Sequence, residues 1–150
     1  MADLKLVETF DGGDLVLNGN DLQIIDGFQN MIYLALFGGN VQQSTKQYNE
    51  DEERFDYWAN SLLMLDSPNI QYNSETEKTI SEVALNSRGR LLIQQAAKKD
   101  LEFMQEFANL TVEVTILESE KVGIKVILKE PNELESNEFN YIWTATENEL

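Results

Sequence analysis

The chain has no histidine and no cysteine. This removes imidazole general bases, Ser-His and Cys-His nucleophile pairs, thiolate and imidazole metal ligands, and disulfides. Basic residues are scarce: 11 Lys and Arg against 27 Asp and Glu leave a formal net charge of −16 and a pI near 4.2. A surface of that sign repels a phosphate backbone or an anionic membrane, so neither nucleic acid nor membrane is expected as a partner. Long hydrophobic runs are also missing. The longest, Met31 to Phe37, is seven residues, far short of the ~20 that a spanning helix needs. The opening Met1-Ala2-Asp3-Leu4-Lys5 shows no basic region followed by an apolar core, so no secretory signal is expected.

What is present is a chain of 150 residues, 42% of them hydrophobic. That length suits one domain burying about 70% of the surface its unfolded form would expose. Leu4, Leu6, Asp14-Leu15-Val16-Leu17 and Leu22-Gln23-Ile24-Ile25 read as short extended segments, with a turn at Gly12-Gly13. Asn18-Gly19-Asn20 lies between two of them. An Asn-Gly pair tolerates the positive φ of a primed two-residue turn, so a hairpin is expected there. From Asp26, a candidate cap, the apolar spacing turns helical through Phe28, Met31, Ile32, Leu34, Ala35 and Leu36, and Gly38-Gly39 should close the helix.

Asn40 to Arg54 is polar and reads as an exposed loop; Phe55, Tyr57, Trp58, Leu62, Leu63 and Leu65 read as a buried turn or short helix before Pro68. Ser74-Glu75-Thr76-Glu77 fits a capping box, with the serine oxygen accepting from an orphan amide and the glutamate reaching back. The pattern predicts a helix from there to Asn86, a second after Ser87 through Leu91, Leu92, Ile93, Ala96 and Ala97, and a third from about Asp100 to Ala108. Period two then takes over: Leu110, Val112, Val114 and Ile116 alternate with polar residues, as do Val122, Ile124, Val126 and Leu128. A short link at Glu118 to Lys121 makes these antiparallel strands. Phe139, Tyr141, Trp143 and Ala145 alternate again, as a third strand or an extended arm. The expected class is α+β: an N-terminal β-hairpin, a helical middle and C-terminal antiparallel strands in one small domain over 1–130, with 131–150 as a C-terminal extension or a strand or arm.

No chemistry-bearing constellation emerges. Asp56, Glu77, Glu82, Glu102 and Glu106 read as solvated faces or caps in a chain this rich in acids, and no catalytic pair is assigned. Asn49-Glu50-Asp51-Glu52-Glu53 lacks the alternating ligands and central glycine of a calcium loop. The paired glycines lack the Lys-Ser/Thr of a phosphate cradle. No cofactor is therefore expected. Trp58 and Trp143 are each core or interface anchors, and for Trp143, with Phe139 and Tyr141, the terminal position favours an arm that adds a strand to a neighbour's sheet. Arg88 and Arg90 stand out among so few bases and suit either an internal carboxylate or a partner's acid.

The order of these pieces resembles the small baseplate wedge proteins of contractile phage tails, the Mu-type family related in fold to the lysozyme-like wedge protein. The resemblance runs from about Asp14 to Leu128. It is carried by the acidic hairpin Asp14-Leu15-Val16-Leu17 to Asn20-Asp21-Leu22, the helix Gly27 to Phe37, and Phe55-Asp56-Tyr57-Trp58-Ala59-Asn60-Ser61-Leu62. Leu85-Asn86-Ser87-Arg88-Gly89-Arg90-Leu91-Leu92, a helix and two strands complete it. Tyr57-Trp58 stands for the family's aromatic pair and Asn86-Ser87-Arg88 for its Gly-Ser-Arg-like segment; the Glu-Pro-Arg-type signature of the lysozyme-like branch is absent. The resemblance implies a structural role in the virion tail baseplate, assembled in the host cytoplasm. The implied partners are other wedge proteins, the tail sheath and the tube. The alternatives are a carboxylate-dependent cell-wall glycosidase and an acidic nucleic-acid mimic that binds a basic partner.

Overall fold

Period-two alternation in the last third of the chain builds the sheet on which the rest is packed. The computed structural model describes residues 2–9, 12–39 and 74–145. The elements are β1 (Ala2–Leu4), β2 (Leu6–Thr9), β3 (Gly12–Leu15), β4 (Leu17–Asn18), β5 (Asp21–Leu22), β6 (Ile24–Asp26), α1 (Gln29–Phe37), α2 (Glu75–Glu82) and α3 (Ser87–Asp100). A 3-10 turn (Glu102–Glu106) then leads to β7 (Asn109–Glu118), β8 (Lys121–Lys129) and β9 (Asn137–Thr144). The α+β class expected from the sequence is the one observed.

β7, β8 and β9 form an antiparallel sheet with β8 in the middle. Its inner face is made of cross-strand rows: Val112, Val126 and Phe139; Val114, Ile124 and Tyr141; Ile116, Val122 and Trp143. Against it pack Ile32 and Leu36 of α1, Ile80 of α2, Ile93 and Ala97 of α3, and Leu101 and Met104 beyond, all buried. The outer face carries Lys125, whose ammonium lies 2.9 Å from Glu138 across β8 and β9. The Glu138 carboxylate, by hydrogen bond and by charge, raises the Lys125 pKa.

The N-terminal segment is more elaborate than the single hairpin expected. Three two-stranded ladders form, β1 with β6, β2 with β3 and β4 with β5. They meet at Lys5, Val16 and Gln23 in a closed ring of backbone hydrogen bonds: Lys5 donates to Gln23, Gln23 to Val16, and Val16 to Lys5, at 2.8, 2.8 and 3.0 Å. The Asn18↔Asp21 register leaves Gly19-Asn20 as the two-residue turn, with Gly19 at φ +68°. The turn thus sits one residue beyond the Asn18-Gly19 pair read from the sequence. Gly12 and Gly13, expected to be a turn, are instead ladder residues opposite Thr9 and Glu8.

Helix boundaries show what local patterns omit. Asp26 ends β6, so it does not cap α1; the cap position falls to Phe28, without a side-chain cap bond. The helix closes as expected, with Gly39 at φ +91°. α2 stops at Glu82 because Val83 is extended, and Asn86, expected as its end, caps α3 by accepting from the Arg88 and Gly89 amides, each at 3.0 Å. α3 runs unbroken to Asp100, so the expected third helix is only a 3-10 turn.

Ser74 takes the cap position of α2, yet its side chain makes no cap bond. Its hydroxyl donates to the Leu36 carbonyl, and the leading amides of α2 are received by Asp100 from the end of α3. A distant carboxylate replaces the local capping box. Burial raises the Asp100 pKa, and bonds from Thr76, Glu75 and Ser74 act in the opposite direction.

The loop read over 40–54 and the aromatic segment with Asp56, Tyr57 and Trp58 lie outside the described residues.

Candidate interaction surface

β9 is placed by its alternation. Phe139, Tyr141 and Trp143 point to the inner side, where they are half-buried against the core, while Glu138, Asn140, Ile142 and Thr144 stand exposed on the outer side. Tyr141 meets two rings of α1: Tyr33 at a centroid distance of 6.3 Å and Phe37 at 5.8 Å, and Tyr33 and Phe37 are themselves 5.7 Å apart. The spacing of Tyr33 and Phe37 puts both on one helix face, and tilted ring pairs at these distances are favourable. Burial pushes the Tyr141 hydroxyl well above the ordinary tyrosine pKa. Its oxygen is 3.5 Å from the Gln29 carbonyl.

Of the two readings of this segment, a third strand or an arm for a neighbour's sheet, the structure has the strand: it belongs to this chain's own sheet, and its aromatic side chains are half-buried against its own core. What β9 leaves to a neighbour is its backbone. Along Asn137–Thr144 one edge pairs with β8, and among the described residues the other edge pairs with no strand. An unpaired strand edge is a template for strand addition. The opposite edge strand, β7, also has one edge that pairs with no strand among the described residues, and α3 and the 3-10 turn pack against that strand.

Ser87, Arg88 and Arg90 share the first turn of α3. Arg88 is exposed, and Arg90 is half-buried with a guanidinium nitrogen 3.3 Å from Gln94 Oε1. Among the described residues neither arginine pairs with a carboxylate. Cations at a helix N-terminus oppose its dipole, so helix stability does not account for them. No hydrogen bond, ion pair or ring contact among the described residues joins this pair to the β9 aromatics. Gly89 between them is fixed by packing, because a Cβ there would lie 2.0 Å from the Ala84 carbonyl oxygen.

The chemistry of the remaining acids is structural where it is defined. Asp100, with a pKa raised by burial, has its oxygens taken up by the Glu75 and Thr76 amides and the Thr76 hydroxyl. Among the described residues no three Asp or Glu side chains come together to hold a metal ion. No helix among them is long and apolar enough to cross a membrane. Sequence reasoning missed the Asp100 cap and the Tyr33, Phe37 and Tyr141 cluster; only the i, i+4 aromatic spacing on α1 signalled the latter.

Comparison of the chain with protein-family profiles, with curated proteins and with solved structures finds no match.

Proposed function

We propose that the chain is a structural subunit of a contractile-tail baseplate, an inner wedge component contacting larger wedge proteins and the first sheath ring. The observation that carries this reading is the β9 edge: an eight-residue strand, held by Phe139, Tyr141 and Trp143, with one backbone edge unpaired among the described residues. A neighbour's extended segment adds to that edge by main-chain hydrogen bonds, which need little from side-chain identity. Arg88 and Arg90 meet acids on a neighbouring subunit. The order of hairpin, helix, Asn86-Ser87-Arg88 segment and terminal strands supports the same reading through the family it resembles. The site of action is the virion tail, after assembly in the host cytoplasm.

Hydrogen exchange tests the strand-addition step. In the isolated chain, the β9 amides that face away from β8 should exchange quickly. In purified tail particles the same amides should be protected, while the β7–β8 turn at Ser119 and Glu120 exchanges as before. Unchanged exchange over 137–144 in the particle removes β9 as the contact.

A further inference from the structure

We infer that the exposed face of α3 docks a partner protein through a segment in which aspartate and glutamate flank apolar side chains. The inference extends the proposed contact of Arg88 to a whole surface, and it stands without the tail and without β9.

α3 is a basic island in an acidic chain. Its 14 residues hold Arg88, Arg90, Lys98 and Lys99, four of the 11 bases, against the single acid Asp100. That acid is engaged internally, because its carboxylate receives the Glu75 and Thr76 amides. The next acids along the chain, Glu102 and Glu106, lie beyond the helix in the 3-10 turn.

Helical spacing sorts these residues. Gly89, Ile93, Ala96 and Ala97 are buried toward the body. Positions three, four and seven apart share a face, and Arg88, Leu91, Leu92, Gln95, Lys98 and Lys99 follow that spacing on the opposite side, all exposed. Leu91 is 50% and Leu92 39% exposed. From Arg88 to Lys99 the face runs about 16 Å along the axis, at roughly 1.5 Å per residue. Its order from end to end is a cation, two leucines, an amide and two cations.

Folding accounts for little of this. Lys98 and Lys99 suit the dipole at the last turn, but Arg88 opposes it at the first. Lys99 lies 3.4 Å from Glu75 at the surface, where such a pair is worth little. Among the described residues Arg88 and Lys98 pair with no carboxylate. Single exposed leucines are ordinary on a protein surface. Two adjacent ones framed by cations instead match the apolar centre and charged rim of an interface.

Charge complementarity selects the occupant. Nucleic acid and anionic membrane are negative, but the net charge of −16 on the whole chain repels such extended polyanions. Phosphates would also leave the two leucines unmatched. A second copy offers acids too. Contact of this face with an acidic patch of the next copy is head-to-tail and repeats from copy to copy, between bodies that each carry −16. An acidic segment of another protein, with apolar side chains between its acids, satisfies both the rim and the centre.

The test places a photo-crosslinking residue at Gln95 of the full chain, and in a control at Ser119, in producing cells. The expected result is a Gln95-specific crosslink to one other protein, at a segment with Asp or Glu on both sides of apolar residues. A synthetic peptide of that segment should bind the full chain. Its affinity should fall about tenfold for Lys98→Glu and for Leu91→Asp, and should fall with added salt. Replacing the facing acid of the peptide by lysine should restore binding to Lys98→Glu, a rescue that a misfolded variant would not show. Ser119→Glu should leave affinity unchanged. A crosslink to a second copy, to residues 40–73 of the same chain, to nucleic acid, to a segment without acids, or to nothing overturns the inference. Undiminished binding of both Lys98→Glu and Leu91→Asp does so too. An acidic partner unrelated to tails would uphold it while removing the baseplate reading; incorporation into tails with no crosslink from Gln95 would do the reverse.

Discussion

Asp100, the last residue of α3, holds Thr76 in the first turn of α2 twice, accepting its backbone amide at 2.8 Å and its hydroxyl at 2.5 Å. The Glu75 amide adds a third donor. One carboxylate therefore caps a neighbouring helix and fixes the approach of α2 to α3. Asp100→Ala leaves these donors without an acceptor in a partly buried place and should cost about 2–4 kcal/mol. Asp100→Asn keeps one acceptor oxygen and should cost less, and Thr76→Val, which removes only the hydroxyl, about 1 kcal/mol. Urea denaturation of the three variants checks the order; equal stability of Asp100→Ala and the unaltered chain contradicts the cap.

Gly89 should tolerate alanine poorly and Gly123 well. At Gly89 the new Cβ would meet backbone, the Ala84 carbonyl oxygen at 2.0 Å, whereas at Gly123 it would reach only the Leu117 side chain at 3.4 Å. Gly89→Ala should lower stability by about 3 kcal/mol, while Gly123→Ala should stay within about 0.5 kcal/mol of neutral because Leu117 is half-exposed and can shift. Thermal melts of the pair decide. Comparable losses at both positions would mean that the close approach of Ala84 to α3 is misplaced.

The strands and α3 were legible because each has its own period. Val112, Val114, Val122, Ile124 and Val126 mark one face at period two, and the apolar spacing of Ile93, Ala96 and Ala97 marks α3, although its cap, Asn86, reads from the sequence as the end of the helix before it. The alternation of Phe139, Tyr141 and Trp143 was equally plain, but alternation gives a face and not what the face meets. That β9 returns to its own sheet depends on β8, reached across the polar stretch after Pro131. The same limit hid the Asp100 cap, 24 positions from Thr76, and the closure of three ladders at Lys5, Val16 and Gln23. Ser74 shows the limit most clearly, since its place at the start of α2 was readable while its hydroxyl serves Leu36 instead.

Alkaline pH should act through Tyr141. Its pKa is raised by burial in the folded chain, while in the unfolded chain it returns to about 10. The folded state therefore keeps the proton at higher pH than the unfolded state. Its contribution is fully present below about pH 10 and is lost as pH rises further, with a slope approaching about 1.4 kcal/mol per pH unit. Tyr141→Phe removes this dependence. Urea midpoints from pH 9 to 11.5 should fall more steeply for the unaltered chain than for Tyr141→Phe; parallel curves would place Tyr141 in water.

The proposed place of the chain in a contractile tail can be read from the particle itself. Intact particles are purified from producing cells and each chain is quantified by mass spectrometry against labelled standards. A tail subunit should be present at a fixed number of copies per particle, in constant ratio to sheath and wedge proteins across preparations. A chain found only as free protein, or at a ratio that varies from one preparation to the next, would contradict it.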